Sequence, residues 1–236
     1  MSSAAVVQSA SKSVLHVPPV FSEGSRGRSD PLQKPRAAKP FAAPLRDFRP
    51  TQMAVGMRAV AAKREKVERR AKSRRKLRRF LENRPVPAIL GPDDGLFIID
   101  HHHLSLALWQ SEVDEAFVTL VGDLSHLSRD RFLGRMSGLG LLHAYDAHGR
   151  PICPTQLPET LGALRSDPFR DLAWSVREAG GFAKIGEPYA EFRWANFFRT
   201  RIPRSTVRRD FDLAHDRAMW LARSRAAVRM PGYVGR

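Results

Sequence analysis

The chain has 236 residues, of which 42% are hydrophobic, a single cysteine, and a formal net charge of +16. That length suits one domain plus extensions. One cysteine excludes an intramolecular disulfide and a cysteine-based metal knuckle, which fits a cytoplasmic setting, and no apolar run approaches the ~20 residues needed to cross a bilayer. The charge is unevenly spread: residues 58 to 84 hold 13 Lys/Arg against 3 Asp/Glu, whereas residues 85 to 236 hold 19 against 18. A nearly neutral body therefore carries one strongly basic segment, the pattern expected for a nucleotide or nucleic-acid partner and not for a membrane.

Residues 1 to 45 contain Pro18, Pro19, Pro31, Pro35, Pro40 and Pro44 and a Gly-Ser-Arg-Gly-Arg run from Gly24, with no sustained period. This composition predicts a disordered basic tail. Its Ser, Ala and Arg content with few acids is also that of an organelle transit peptide, and Met53 and Met57 just beyond it are alternative start sites. The domain proper runs from 46 to 236. It opens with a proline-free, Ala/Lys/Arg/Glu-rich stretch that predicts one long basic helix over 54–83, on which Val60, Val67, Leu77 and Leu81 give a thin apolar stripe. Arg74, Arg75, Arg78 and Arg79 then project into solvent as nucleic-acid contacts, or else serve only solubility.

Arg84-Pro85 ends that helix. Val86 to Leu90 and Leu96 to Ile99 read as a hairpin around Gly91-Pro92-Asp93-Asp94-Gly95, and Ala116 to Val121 as a third strand, giving a sheet and turn region over 86–121. The part over 129–230 is mainly helical: 129–139, 159–165, 169–179, 188–200 and 205–228, with a short hairpin candidate at Leu141 to Tyr145. The fold class is therefore α+β (mixed α/β), a small mixed sheet with a helix-rich C-terminal part.

The least ordinary feature is Asp100-His101-His102-His103, where a strand ends and a helix begins. Three consecutive imidazoles cannot all enter an apolar core without unmet hydrogen bonds, so at least one should face a cleft. The free N–H groups of a following helix attract anions, and histidine beside a phosphate can donate to it or act as general acid or base. Asp100, His102 and His103 are the catalytic candidates and His101 a phosphate contact. A divalent metal is an alternative cofactor, with further ligands drawn from His126, His143, Asp146 or His148, although adjacent residues rarely converge on one ion. Capped, satisfied histidines are the bland alternative. Lys184, in Gly180-Gly181-Phe182-Ala183-Lys184, would neutralise phosphate charge if this loop covers the turn, while Gly180 serves as a helix C-cap. Glu191 and Trp194 share one side of a helix, Trp194 as packing and Glu191 as a candidate base. Asp210, Asp212, His215 and Asp216 read as a solvated face.

The order hairpin, aspartate, histidines and helix resembles the ParB/sulfiredoxin fold, whose signature of the form Asp-Gly-His-His-Arg or Gly-Cys-His-Arg holds nucleotide phosphates. Arg49-Pro50-Thr51-Gln52, Val55-Gly56, Gly91-Pro92, Asp100 to Leu104, Gly180 to Lys184 and Glu191-Phe192-Arg193-Trp194-Ala195 together look like the ParB-like nuclease family of bacteria. The resemblance implies that Asp100, His102 and His103 match the signature's acidic residue and histidines, and that Gln52 approaches the ligand. His101 stands where the signature has glycine, and Leu104 where it has the arginine that grips phosphate. It implies phosphodiester hydrolysis or phosphoryl transfer on a phosphate-bearing ligand; the alternatives are a non-catalytic nucleic-acid-binding protein and a metal-dependent hydrolase.

Overall fold

The computed structural model describes residues 39–235. The strands are β1 (Phe41–Pro44), β2 (Phe48–Pro50), β3 (Ala54–Val55), β4 (Val86–Leu90), β5 (Leu96–Ile98), β6 (Glu115–Asp123) and β7 (Arg165–Ser166). The helices are α1 (Met57–Ala71), α2 (Arg74–Glu82), α3 (His102–Gln110), α4 (Arg129–Gly138), α5 (Pro168–Glu178), α6 (Ala190–Arg199), α7 (Arg204–Arg209) and α8 (Phe211–Arg223). The fold is α+β, with a five-stranded mixed sheet in the order β1-β6-β4-β5-β2 and a separate β3-β7 pair. The expected hairpin is present: β4 and β5 pair antiparallel, and β6 joins β4 in parallel with a bulge between Ala88 and Ile89.

Alternation along β4 and β5 sends side chains to two cores. Val86, Ala88, Leu96 and Ile98 pack with Val60 and Val67 of α1 and Leu104, Ala107 and Leu108 of α3. Ile89 and Phe97 turn the other way, onto Phe132, Leu133 and Met136 of α4. A third core is built by the C-terminal helices, with Trp194, Phe169, Leu172, Phe198, Ala214, Ala218 and Ala222 at its centre. Among the described residues no helix is long and apolar enough to cross a membrane.

Several expectations are corrected. The fold takes up the chain before residue 46, because Phe41–Pro44 pairs antiparallel with residues 115–118 and buries Ala43. Proline content disguised this strand, yet Pro44 and Pro50 both sit in outer strands, where a missing N–H is tolerated. The rest of the expected tail, residues 1–38, lies outside the described residues.

The basic helix over 54–83 is two helices. Ala54 and Val55 pair with β7, and Ser73 leaves helical geometry at φ −143° and accepts from Lys76 N–H at 3.5 Å, capping α2. On one continuous helix Leu77 would lie about 100° round from Val60; the break lets α1 and α2 both face the core. Asp210 does the same between α7 and α8, accepting from Leu213 N–H at 3.0 Å. The helix expected over 159–165 is a 3-10 turn at Leu161–Ala163, in which Leu161 and Leu164 are both buried. The hairpin candidate at Leu141 to Tyr145 is shifted along the chain: Tyr145 bridges Pro151 antiparallel across the Gly149 turn, while His143 bridges Gln52 in parallel.

Chains starting at residue 39 and at residue 45 differ essentially by β1. The shorter one should melt several degrees lower, since each kcal/mol lost shifts a domain of this size by about 2–4 °C. Equal melting temperatures by circular dichroism would show that β1 contributes nothing.

Candidate functional site

The histidine turn joins β5 to α3. His101 is left-handed at φ 63°, a conformation that glycine adopts without strain, and the Asp100 carboxylate accepts its N–H at 2.6 Å. α3 starts at His102 with no side-chain cap and no acidic residue in its first turn, and its backbone bonding begins at Ser105 N–H to His101 C=O, 2.9 Å. The positive end of α3 is thus open.

His102 and His103 turn inward and are spent on backbone. His102 Nε2 accepts from Thr51 N–H at 3.2 Å, while the Thr51 hydroxyl donates to Ile98 C=O at 2.8 Å. His103 Nε2 accepts from Gly56 N–H at 3.2 Å. Accepting at Nε2 puts the proton of each neutral ring on Nδ1. Gly56 is required at its position: a Cβ there would lie 2.9 Å from Asp171 N and 2.6 Å from its carboxylate, which accepts from Arg58 N–H at 2.6 Å and so occupies the start of α1. Burial pushes the Asp171 carboxyl up to about 6 against these backbone donors.

Cations gather at the turn. Lys63 of α1, Lys184, and Arg84 each act on His101, adding to the burial that lowers its pKa, with Asp100 as the opposing charge. Lys63 is itself lowered, first by burial and then by Lys66, Arg177 and Lys184. The loop before Lys184 is pinned: Gly180 caps α5 at φ 76°, Phe182 stacks on Trp194 at 4.3 Å, and Ala183 N–H donates to Gly232 C=O at 2.7 Å. Trp194 is fully buried and donates to Pro231 C=O at 2.7 Å, a packing residue. Two groups nearby carry unmet hydrogen bonds, Nδ1 of His101 and Nε and Nη1 of Arg170. Arg170 is 5% exposed and lies over the Phe192 ring at 3.6 Å.

The other predicted residues are held as follows. Glu191 is ion-paired to Arg177 and lies 3.8 Å from Arg170. Gln52 is buried, with its amide turned to Ala54 C=O at 3.0 Å. Arg74, Arg75 and Arg79 are exposed on α2, and Arg78 pairs with Glu82 at 2.8 Å. Asp210 is a cap, and Asp212 and Asp216 are exposed. Among the described residues no group of three or more His, Cys, Asp or Glu is placed to hold a metal ion. Sequence reading missed Thr51, Lys63, Arg84, Arg170 and Arg177. Of these only Thr51 carried a local signal, its place in the Arg49-Pro50-Thr51-Gln52 run.

Burial pushes the imidazoles of His102 and His143 down to about 3 and that of His103 well below its ordinary value, and the Arg170 charge acts in the same direction on all three. An unfolded chain takes up protons at these histidines below pH ~6.5, and the folded chain does not. Their stabilising effect is therefore complete above pH 6.5 and falls as the pH drops towards 3. At pH 5.5, one unit below the ordinary histidine value, the loss is on the order of 1 kcal/mol for each of His102 and His143. The melting temperature should fall between pH 7.5 and 5.5, by less than the histidines alone would give because the Asp171 carboxyl takes up a proton in the folded chain over the same window, and His143→Phe should reduce that fall. A pH-independent melting temperature would contradict the neutral, buried state of these rings.

A family model described as "Putative ParB-like nuclease" matches residues 41–200. The crystal structure of protein Atu1540 from Agrobacterium tumefaciens is similar, with 38% identity and a TM-score of 0.77, covering 84% of this chain and 100% of that one. No curated protein matches the chain. The match spans β1 to the end of α6 and so takes in the histidine turn, the Lys184 loop and the Glu191 helix. The chain belongs to the ParB-like nuclease family.

Proposed function

We propose that the turn at residues 100–103 binds a phosphate-bearing ligand, a nucleotide or a nucleic acid, and that the reaction is phosphodiester hydrolysis or phosphoryl transfer. The observation that carries this reading is the uncapped N-terminus of α3, with the charges of Lys63, Lys184 and Arg84 acting on His101 at its start and Asp100 opposing them. The backbone N–H groups of the first turn and the two lysines hold the phosphate, and His101 donates to it. His102 and His103 act as positioning residues, since their Nε2 atoms are engaged and burial keeps them neutral at pH 7. Asp100, exposed at the turn, is then the better candidate for a base than Glu191, whose carboxylate is held by Arg177. A reducing cytoplasm suits the single exposed, unpaired Cys153.

The same neutral histidines favour a second reading, a protein that binds nucleic acid without cleaving it. The metal-dependent alternative has no ligand cluster to rest on among the described residues.

Calorimetry with inorganic phosphate, pyrophosphate and thymidine monophosphate in metal-free buffer tests binding. Lys63→Gln and Lys184→Gln should each weaken binding, by about 1 kcal/mol or roughly fivefold. No heat from any of the three ligands, or unchanged affinity in both variants, would remove the phosphate site. Incubation with a labelled oligonucleotide, with and without magnesium, separates the two readings: cleavage that Asp100→Asn abolishes marks an enzyme, and tight binding without cleavage marks the binder.

A further inference from the structure

A second cationic site is a shallow, open hollow of about 410 Å³ between α1 and α2, lined by Arg70, Lys76, Arg79, Phe80, Asn83 and Arg84. Its four cations face no carboxylate in the lining. The three acids of this segment are Glu65, Glu68 and Glu82; Glu68 is taken by Arg64 at 3.1 Å and Glu82 by Arg78 at 2.8 Å, outside the cleft. Two of the guanidinium groups are fixed. Arg70 and Arg84 each lie 4.4 Å from the Phe80 ring centroid, and each anchors Nη1 to a backbone carbonyl, Lys66 at 2.8 Å and Phe80 at 3.4 Å. A guanidinium seated over a ring and bonded through one nitrogen to a carbonyl keeps its other N–H groups available to phosphate oxygens.

The cleft is also connected to the histidine turn. α1 runs from the turn, where Gly56 N–H is bonded to His103, to Arg70 in the cleft lining, and the charge of Arg84, which also lines the cleft, acts on His101. Lys63 and Arg70 are seven residues apart on α1, hence on nearly the same face and about 10 Å apart along its axis. A nucleic-acid strand advances about 3.4 Å per nucleotide, so about three nucleotides span that distance.

We propose that the cleft between α1 and α2 is a phosphate subsite for a nucleic-acid strand that runs along α1 to the histidine turn. The ligand is then a polynucleotide and not a mononucleotide, which rests on the reading of the turn as a phosphate site. Arg70, Lys76, Arg79 and Arg84 bind backbone phosphates and supply affinity without sequence preference.

The test uses the full chain and fluorescence anisotropy with a labelled eight-nucleotide oligothymidylate, competed by thymidine monophosphate. The octamer should bind more than tenfold tighter than the mononucleotide. Arg70→Gln with Arg79→Gln should bring it close to the mononucleotide and reduce the slope of log affinity against log salt by about 1.4, for two single-strand phosphate contacts. Arg64→Gln with Arg78→Gln changes the net charge equally but removes arginines paired outside the cleft, and should have a much smaller effect. An octamer no tighter than the mononucleotide, an Arg70/Arg79 variant with unchanged affinity and slope, or equal losses in the two double variants would each overturn the cleft. The turn is read separately, through Lys63→Gln: if the mononucleotide does not bind and Lys63→Gln leaves the octamer unaffected while the cleft variant weakens it, the cleft stands and the reading of the turn fails.

Discussion

Two adjacent imidazoles hold this molecule's central corner. His102 and His103 accept the backbone N–H groups of Thr51 and Gly56, so the first turn of α3 is tied to both ends of the segment that leads from β2 into α1. Neither donor has a ladder or helix partner of its own in that irregular segment, and an unpaired buried N–H costs roughly 1–3 kcal/mol. The open end of α3 and the start of α1 are thereby held at one place, and Lys63, two turns along α1, comes within range of His101. Asp171 then seats on the first turn of α1, which brings α5 in and with it Arg170 and Arg177.

The corner also sorts the helix ends. Asp171 serves α1, Ser73 serves α2, Asp167 accepts from Phe169 N–H at the start of α5, and Asp210 serves α8. α4 and α6 carry acidic residues in their first turns. α3 and the six-residue α7 have neither device, and α3 packs against the basic helix α1. An uncompensated positive helix end beside further cations is unfavourable unless something negative completes it.

What could be read from the residues beforehand followed local rules. The β4-β5 hairpin announced itself by its turn, the role of Gly180 by its position after a helix, and the packing of Trp194 by its spacing in α6. The histidine turn stood out as a short run with no apolar explanation. The pieces that escaped are those defined by distant neighbours. Nothing in the context of Lys63 distinguishes it from the other cations of a basic helix; only the packing of α1 on α3 separates it from Arg64. Phe80 reads as a minor apolar residue until Arg70 and Arg84 are seen on its ring. Ser73 and Asp210 are ordinary capping residues, but composition and periodicity around them favoured uninterrupted helices. The inward direction of His102 and His103 depended on Thr51 and Gly56, some fifty positions earlier.

The sheet order has a consequence for how the protein is made. β1 at residues 41–44 can pair only with residues 115–118, and β2 only with β5. At roughly 5–20 residues per second on the ribosome, the partner of β1 is synthesised several seconds after β1 itself. During that interval the residues of α1 and of the β4-β5 hairpin have all been made, and the edge that receives β1 has not. β6 lies between β1 and β4, so the first described strand cannot take its place in the sheet until β6 is made, and until then the edge of β4 that β6 will cover is open to mispairing.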